Sequence, residues 1–401
     1  MEAKGTYRVS PTPPEEERPG RGASALAIAA GTTAMAILPM FLVSGLFVLM
    51  GPELGFGERA LGLSVGAFYG VSALVSPYAG IVSDRLGPRR ALQLGVGLGV
   101  ICSVAMAAAS SLTWLVVFLL GAGVATAVNQ MASNVLLVSA TPRHRQALAF
   151  AVKQSVVPGA SLLGGAALPL IGLTIGWRWA FALPVLLALV LLIPIPVAEP
   201  VQGRRKEDGQ PVNVVALVIL AVGAAAAIAA ANAAAAFLVP YAVSVGASVS
   251  AAGGLLAFGG ATGVISRLIA GWSVDRYTPD GLTVSAVFVA VGVLGFLLIL
   301  AAPRGILLGV AVAIIFGAGW GWSGIFTHAV ARSYPEAAGR STGVTQAGIF
   351  TGGMLGPAIF GVIVSSAGYT PAWLVTVLLA MLGGGLIALG RSRLRGTQVV
   401  A

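Results

Sequence analysis

The chain of 401 residues is 57% hydrophobic and 9% charged, with 55 glycines and one cysteine, and its mean hydropathy is +0.95. Soluble domains carry about 25% charged residues, so a water-facing surface is excluded, and apolar runs near the roughly 20 residues that cross a bilayer recur along the whole length. The net charge of +10 reads as topology and attraction to anionic lipid, with no need of a nucleic-acid partner.

Residues 1–22 (MEAKGTYRVSPTPPEEERPGRG) are polar and Pro-rich and are expected to form a disordered cytoplasmic tail. They lack an early apolar core and a small-residue cleavage site, so the first span reads as a retained helix. Hydropathy then marks twelve spans, at 24–50, 60–82, 91–110, 113–140, 147–174, 178–198, 213–241, 250–272, 282–302, 305–332, 341–366 and 371–390. The charged stretch 199–212 (EPVQGRRKEDGQPV) reads as a cytoplasmic linker between a six-helix half at 23–198 and another at 213–390, and 391–401 as a second tail. The expected fold is an all-α membrane protein of two six-helix units. Abundant Gly and Ala suit close helix packing in lipid. Cys102 lies inside an apolar run, which leaves no disulfide framework and no cysteine metal site.

Lysine and arginine set the expected orientation. With the N-terminus in the cytoplasm, only Arg59, Arg178 and Arg304 of the 23 basic residues fall outside, and Lys153 and Arg267 fall within spans. The rest are cytoplasmic, a positive-inside bias that places both termini there, in a multi-pass protein of the cytoplasmic (inner) membrane.

A repeat underlies the pattern. Gly80, Asp84 and Arg85 of "AGIVSDRLGPRR" recur as Gly271, Asp275 and Arg276 of "AGWSVDR". At an offset one residue longer, "VKQSVVPGASLLGGA" (152–166) aligns with "VTQAGIFTGGMLGPA" (344–358), pairing Gln154 with Gln346 and Gly164 with Gly356. Each half holds an even number of spans, so the duplicated halves run parallel.

Twelve spans in two parallel halves, with "GIVSDRLGPRR" after span 2 and "GWSVDR" after span 8, resemble the major facilitator superfamily. Its signature Gly-x-x-x-Asp-Arg-x-Gly-basic-basic is met by Gly80, Asp84, Arg85, Gly87, Arg89 and Arg90, with Pro88 where a basic residue is commoner. In the second copy Tyr277, Thr278, Pro279 and Asp280 replace the basic end. "AFAVKQSVVPG" and "TGVTQAGIFTGGMLGP" resemble the cyanate-permease branch. The resemblance implies a secondary transporter working by alternating access, without cofactor and as a monomer. It also implies a conformational latch, in which Asp84 lies against the N-terminal end of span 11, where the helix dipole favours an anion. Gly80 would let span 2 approach closely, the arginines would anchor to headgroups, and Gly271, Asp275 and Arg276 would form the partner copy. The positive-inside rule alone accounts for the arginines but not for Asp84, Gly80 or Gly87.

Polar residues inside the spans point to what moves. Lys153 and Arg267 each lie roughly 10 Å deep at about 1.5 Å per residue. They either line a wet cavity or snorkel to the interface. The oxalate and monocarboxylate carriers of the superfamily also place an arginine in span 8, and Arg267 resembles it. All 13 acids sit in loops, termini or span ends, so two buried cations without an intramembrane acid point to an anionic substrate. Coupling through a buried carboxylate is not available; a protonated substrate or anion exchange fits better. His328 stands either as a proton carrier or as a structural residue. Asn129, Gln130, Asn134, Gln154, Asn232, Trp322, Ser323, Thr327 and Gln346 either contact substrate or bond between helices. Gln154 and Gln346 stand out as pseudo-symmetric, as do Asn134 and Thr327. Pro158, Pro169 and Pro357 are expected to kink spans 5 and 11.

Enzyme chemistry has no support: His144 and His328 are far apart, and no nucleophile, base or metal cluster accompanies them. "GVGLGVI" (95–101) lacks the strand a nucleotide loop needs. A hydrophobic-drug exporter of the same superfamily is the alternative that stays open, and acids in the spans would have favoured it.

Overall fold

The computed structural model describes residues 21–141, 146–191, 212–277, 280–334 and 338–400, apart from some side chains that include those of Asp84 and Asp275. Most of the expected tail and linker, the end of span 6 and the acids of both latch copies therefore lie outside the described residues. The described chain is helical throughout, without a strand. The N-terminal half comprises α1 (Arg21–Leu54), α2 (Glu58–Leu86), α3 (Pro88–Ala107), α4 (Leu112–Ala140), α5 (Gln146–Gln154), α6 (Val156–Ala167) and α7 (Ala182–Leu191). The C-terminal half comprises α8 (Val214–Ser244), α9 (Val249–Tyr277), α10 (Gly281–Ala301), α11 (Gly305–Ile314), α12 (Ser323–Ser333), α13 (Ala338–Ala367) and α14 (Tyr369–Val400).

Among the described residues 11 helices are long and apolar enough to cross a membrane, with Trp177–Leu191 a shorter apolar helix. Span 5 is α5 and α6 joined at Ser155 and closed by a π-helical turn at Leu168–Gly172. Span 10 is α11 and α12 separated by a second π-helical turn, Ile315–Gly319. Two boundaries differ from the hydropathy reading. The tail expected from 391 instead continues α14 to Val400, because Arg391 Nε donates to Asp280 at the start of α10 and Leu394 is buried. The expected loop after span 2 reduces to Gly87, whose φ of 78° turns the chain directly into α3 with Pro88 in its first turn. Arg85 thus ends α2 and favours its dipole. Arg89 and Arg90 oppose the dipole of α3 and, being exposed, face the surroundings instead.

The halves meet along α2 against α13 and α6 against α9. Glycine makes the seam: a Cβ added at Gly66 would stand 2.5 Å from the Met354 carbonyl oxygen, and one at Gly165 would stand 2.7 Å from that of Gly253. Gly62 meets the Pro357 carbonyl and Gly260 the Leu162 backbone just as closely. Such contacts between backbones are how helices associate where lipid removes the hydrophobic drive. They all lie toward the Glu58 end of the bundle. At the other end, a Cβ at Gly80 or Gly343 would meet nothing within 4 Å. Gly80 thus makes no close approach to any described residue in this conformation. The halves are thus closed at the Glu58 end, and toward the Arg85 end α5 and α9 still meet, a Cβ at Gly271 standing 3.3 Å from that of Ala151.

Candidate functional site

A cavity of about 110 Å³ lies between the halves, midway along the bundle. Tyr69 and Ser72 of α2, Gln130 of α4 and Gln154 of α5 border it from one side; Asn232 of α8, Arg267 of α9, Thr327 of α12 and Gln346 of α13 border it from the other. Apolar groups fill most of the remaining wall, among them Val157, Ile228, Ile349 and Phe350.

Arg267 is 7% exposed. Its Nη1 donates to the carbonyl oxygen of Gln154 at 2.5 Å. Its Nη2 donates to the Trp320 carbonyl at 3.0 Å and to Ser323 Oγ at 3.2 Å. Its Nε is buried without a hydrogen-bond partner. Both carbonyls are freed by the sequence. Pro158 has no N–H to return to residue 154, four positions earlier, so the Gln154 oxygen is available. Trp320 lies where span 10 leaves its π-helical turn before α12 begins. Irregular backbone at membrane depth is tolerated where it lines a cavity. The Trp320 ring also stands 5.6 Å from the guanidinium carbon and is braced by Phe41 and Phe316, with centroids at 5.9 Å and 5.5 Å.

Among the described residues no acid pairs with this charge. The ion pairs among the described residues are Arg178 with Glu53 and Arg391 with Asp280, neither of which borders the cavity. A buried charge held only by neutral acceptors is costly, so the cavity presents an unneutralised cation.

The sequence candidates separate into two groups. Arg267, Gln154, Gln346, Asn232, Thr327, Gln130 and Ser323 converge on the cavity, with the repeat-related Gln154 and Gln346 contributed by opposite halves. Lys153, Asn134, Asn129 and Trp322 do not border it. Lys153 is fully buried, so it does not snorkel; its Nζ donates to Asn134 Oδ1 at 2.5 Å and to the Gln130 carbonyl at 3.3 Å. Asn129 is packed against Gly95 of α3 with both amide atoms unpartnered. Trp322 Nε1 closes a local bond to the Gly319 carbonyl at 3.0 Å. Of the latch residues, Arg85, Arg89, Arg90 and Arg276 are exposed, and a Cβ at Gly271 would lie 3.3 Å from that of Ala151.

Tyr69, Ser72, Thr33, Thr126 and Trp320 also line the cavity and were not among the sequence candidates. Tyr69 was legible only as an aromatic in an apolar run. The "GWGW" at 319–322 was the available sign that span 10 is interrupted.

A helical membrane bundle in two halves around a central cavity is the class these features define. The chain belongs to the Major Facilitator Superfamily, whose sequence model matches residues 29–357. Two solved structures of a bacterial homologue of the human lysosomal transporter Spinster are similar in fold. The inward-facing, occupied form covers 94% of this chain and 97% of its own at TM-score 0.72 and 17% identity. The inward-facing, unoccupied form covers 94% and 98% at TM-score 0.73 and 18% identity. Among curated proteins, the putative metabolite transport protein YwtG of Bacillus subtilis (strain 168) is 26% identical over 154 residues, 38% of this chain. That alignment spans 34% of YwtG, about a third of its length.

Proposed function

We propose that the chain is a secondary transporter that carries a small anion across the cytoplasmic membrane by alternating access between its two halves. One observation carries the reading: Arg267 brings a buried, acid-free guanidinium, with its Nε–H unpartnered, to a cavity between those halves. An anion supplies the counter-charge that the protein does not. The glycine seam at the Glu58 end supports a conformer closed on that side. With the termini cytoplasmic, as the arginine distribution suggests, that side is the outer one. The exporter alternative draws on one feature, the apolar share of the cavity wall.

Counterflow into liposomes holding the purified protein tests the proposal. Loading with unlabelled small organic anions should drive uptake of the labelled anion, and Arg267→Gln should abolish it. Transport of neutral or cationic compounds alone, with Arg267→Gln as active as the parent, would overturn it.

A further inference from the structure

The sequence leaves both intramembrane cations as candidates for holding an anion. The structure divides them. The Lys153 ammonium is fully buried behind the cavity wall, engaged by Asn134 and by the carbonyl of Gln130. Among the described residues Arg267 is the one cation that borders the cavity.

We propose that the cavity selects monoanions with an apolar or aromatic body, over dianions and over inorganic anions. This deepens the reading above and rests on it.

Charge supplies the first part of the argument. A guanidinium has five N–H donors, and Gln154, Trp320 and Ser323 occupy three of them. Two are left over, the Nε–H and one N–H of Nη1, and the Ser323 hydroxyl is a neutral partner that an anion outcompetes. These donors suit one carboxylate. A second carboxylate on the same molecule would find only amides and hydroxyls, from Gln154, Gln346, Asn232 and Thr327. Those groups do not neutralise a charge taken out of water.

The wall supplies the second part. Val157 faces the cavity from the N-terminal half, and Ile228, Ile349, Phe350 and the braced Trp320 face it from the C-terminal half. An inorganic anion loses its hydration against these groups without replacement. An apolar body gains by burying its surface there. The same wall explains why the cavity has features of an exporter site while holding a charge that a neutral compound would leave unpaired.

Purified full-length protein, followed through its tryptophan fluorescence and through counterflow in liposomes, tests this with a fixed panel. The probes are acetate, hexanoate and benzoate, then succinate and terephthalate, then nitrate and sulfate. Apparent affinity should rise from acetate to hexanoate and benzoate, and benzoate should bind at least about tenfold more tightly than terephthalate, a margin of roughly 1.4 kcal/mol. Nitrate and sulfate should compete weakly. Phe350→Ala should narrow the gap between benzoate and acetate by weakening benzoate more than acetate, an effect that general misfolding does not produce. Terephthalate or sulfate matching benzoate, or acetate matching it, would overturn the selectivity while leaving the anion-transport reading in place. Failure of every anion to bind or exchange would instead remove that reading, and this inference with it.

Discussion

Arg267 Nη1 and the carbonyl oxygen of Gln154 stand 2.5 Å apart across the junction of the two halves. The bond exists because Pro158 cannot donate to residue 154, and because the break in span 10 turns the Trp320 carbonyl to the other side of the same guanidinium. One helix interruption from each half therefore holds one cation. In an alternating-access cycle the halves move as bodies around the site. If the bond that bridges them is remade at each turnover, the cation that makes it is the one that borders the cavity.

Pro158→Ala should test that link. Alanine restores an N–H that claims the Gln154 oxygen inside the helix, and Arg267 loses its partner in the N-terminal half. The expected result is a shift in the balance of the two conformers and a several-fold change in apparent substrate affinity. Accessibility of single cysteines placed at the two ends of the bundle reads the shift. Identical labelling at both ends would remove the bridge from the mechanism.

Substitutions at Arg267 itself should be graded. Lysine keeps the charge but loses the planar fork, and glutamine loses both. A charge-assisted contact contributes roughly 1.5–3 kcal/mol, so Arg267→Gln should weaken anion binding by about one to two decades. Arg267→Lys should fall between it and the parent in a binding titration. A glutamine variant of normal affinity would take substrate binding away from this residue.

The legible and illegible parts of the fold divide along physical lines. Polar residues inside apolar runs stand out, so Arg267, Gln154, Gln346, Asn232 and Thr327 were readable and do converge on the cavity. Hydropathy gives their depth but not their direction. Helices such as α8 and α9 are apolar on nearly every face, because lipid, neighbours and cavity all tolerate the same residues. Lys153 and Arg267 therefore looked equivalent, although one borders the cavity and the other is tied to α4. The interruptions were hidden for a similar reason. Residues 305–332 form one apolar run, and hydropathy does not register that its backbone bonds shift at Ile315–Gly319. The contribution of Trp320 is partly a carbonyl, which side-chain identity does not encode.

The glycine seam makes a separate prediction. A Cβ at Gly165 meets the backbone of Gly253 and Ala257, which cannot rotate aside. Overpacking of this kind costs about 1–3 kcal/mol, and parting the two halves at the Glu58 end relieves it. Gly165→Leu should therefore populate the conformer open at that end. A cysteine replacing Ala358, whose methyl group stands beside Gly66 across the seam, should become more reactive to an impermeant maleimide. If it stays shielded while the protein merely loses thermal stability, the seam is a packing feature and not a gate.

The proposed latch gives the fourth test. Neutralising Asp84 by Asn should weaken any contact with the N-terminal end of span 11, which the helix dipole supports only for an anion. The population should move toward the conformer open at the Arg85 end, raising cysteine labelling there. Unchanged labelling would leave the motif to membrane topology alone.

The last prediction concerns Lys153, whose ammonium is fully buried and bonded to Asn134 Oδ1 and the Gln130 carbonyl. Its role in this geometry is to tie α5 to α4 behind the wall, positioning Gln130. Lys153→Met keeps most of the volume, removes the charge, and strands the Asn134 oxygen without its donor. A stranded buried acceptor costs roughly 1–3 kcal/mol, so the single variant should melt lower. Replacing a buried polar set by apolar groups of similar size is often neutral or stabilising. Adding Asn134→Leu should accordingly recover part of the loss, a coupling that a double-mutant cycle isolates. Substrate affinity should change by less than about threefold in the recovered double variant, far from the decades expected at Arg267. A cycle with no coupling would remove the tie, and a decade's loss of affinity in the stable double variant would make Lys153 a second anion-binding cation, reopening the cavity to dianions.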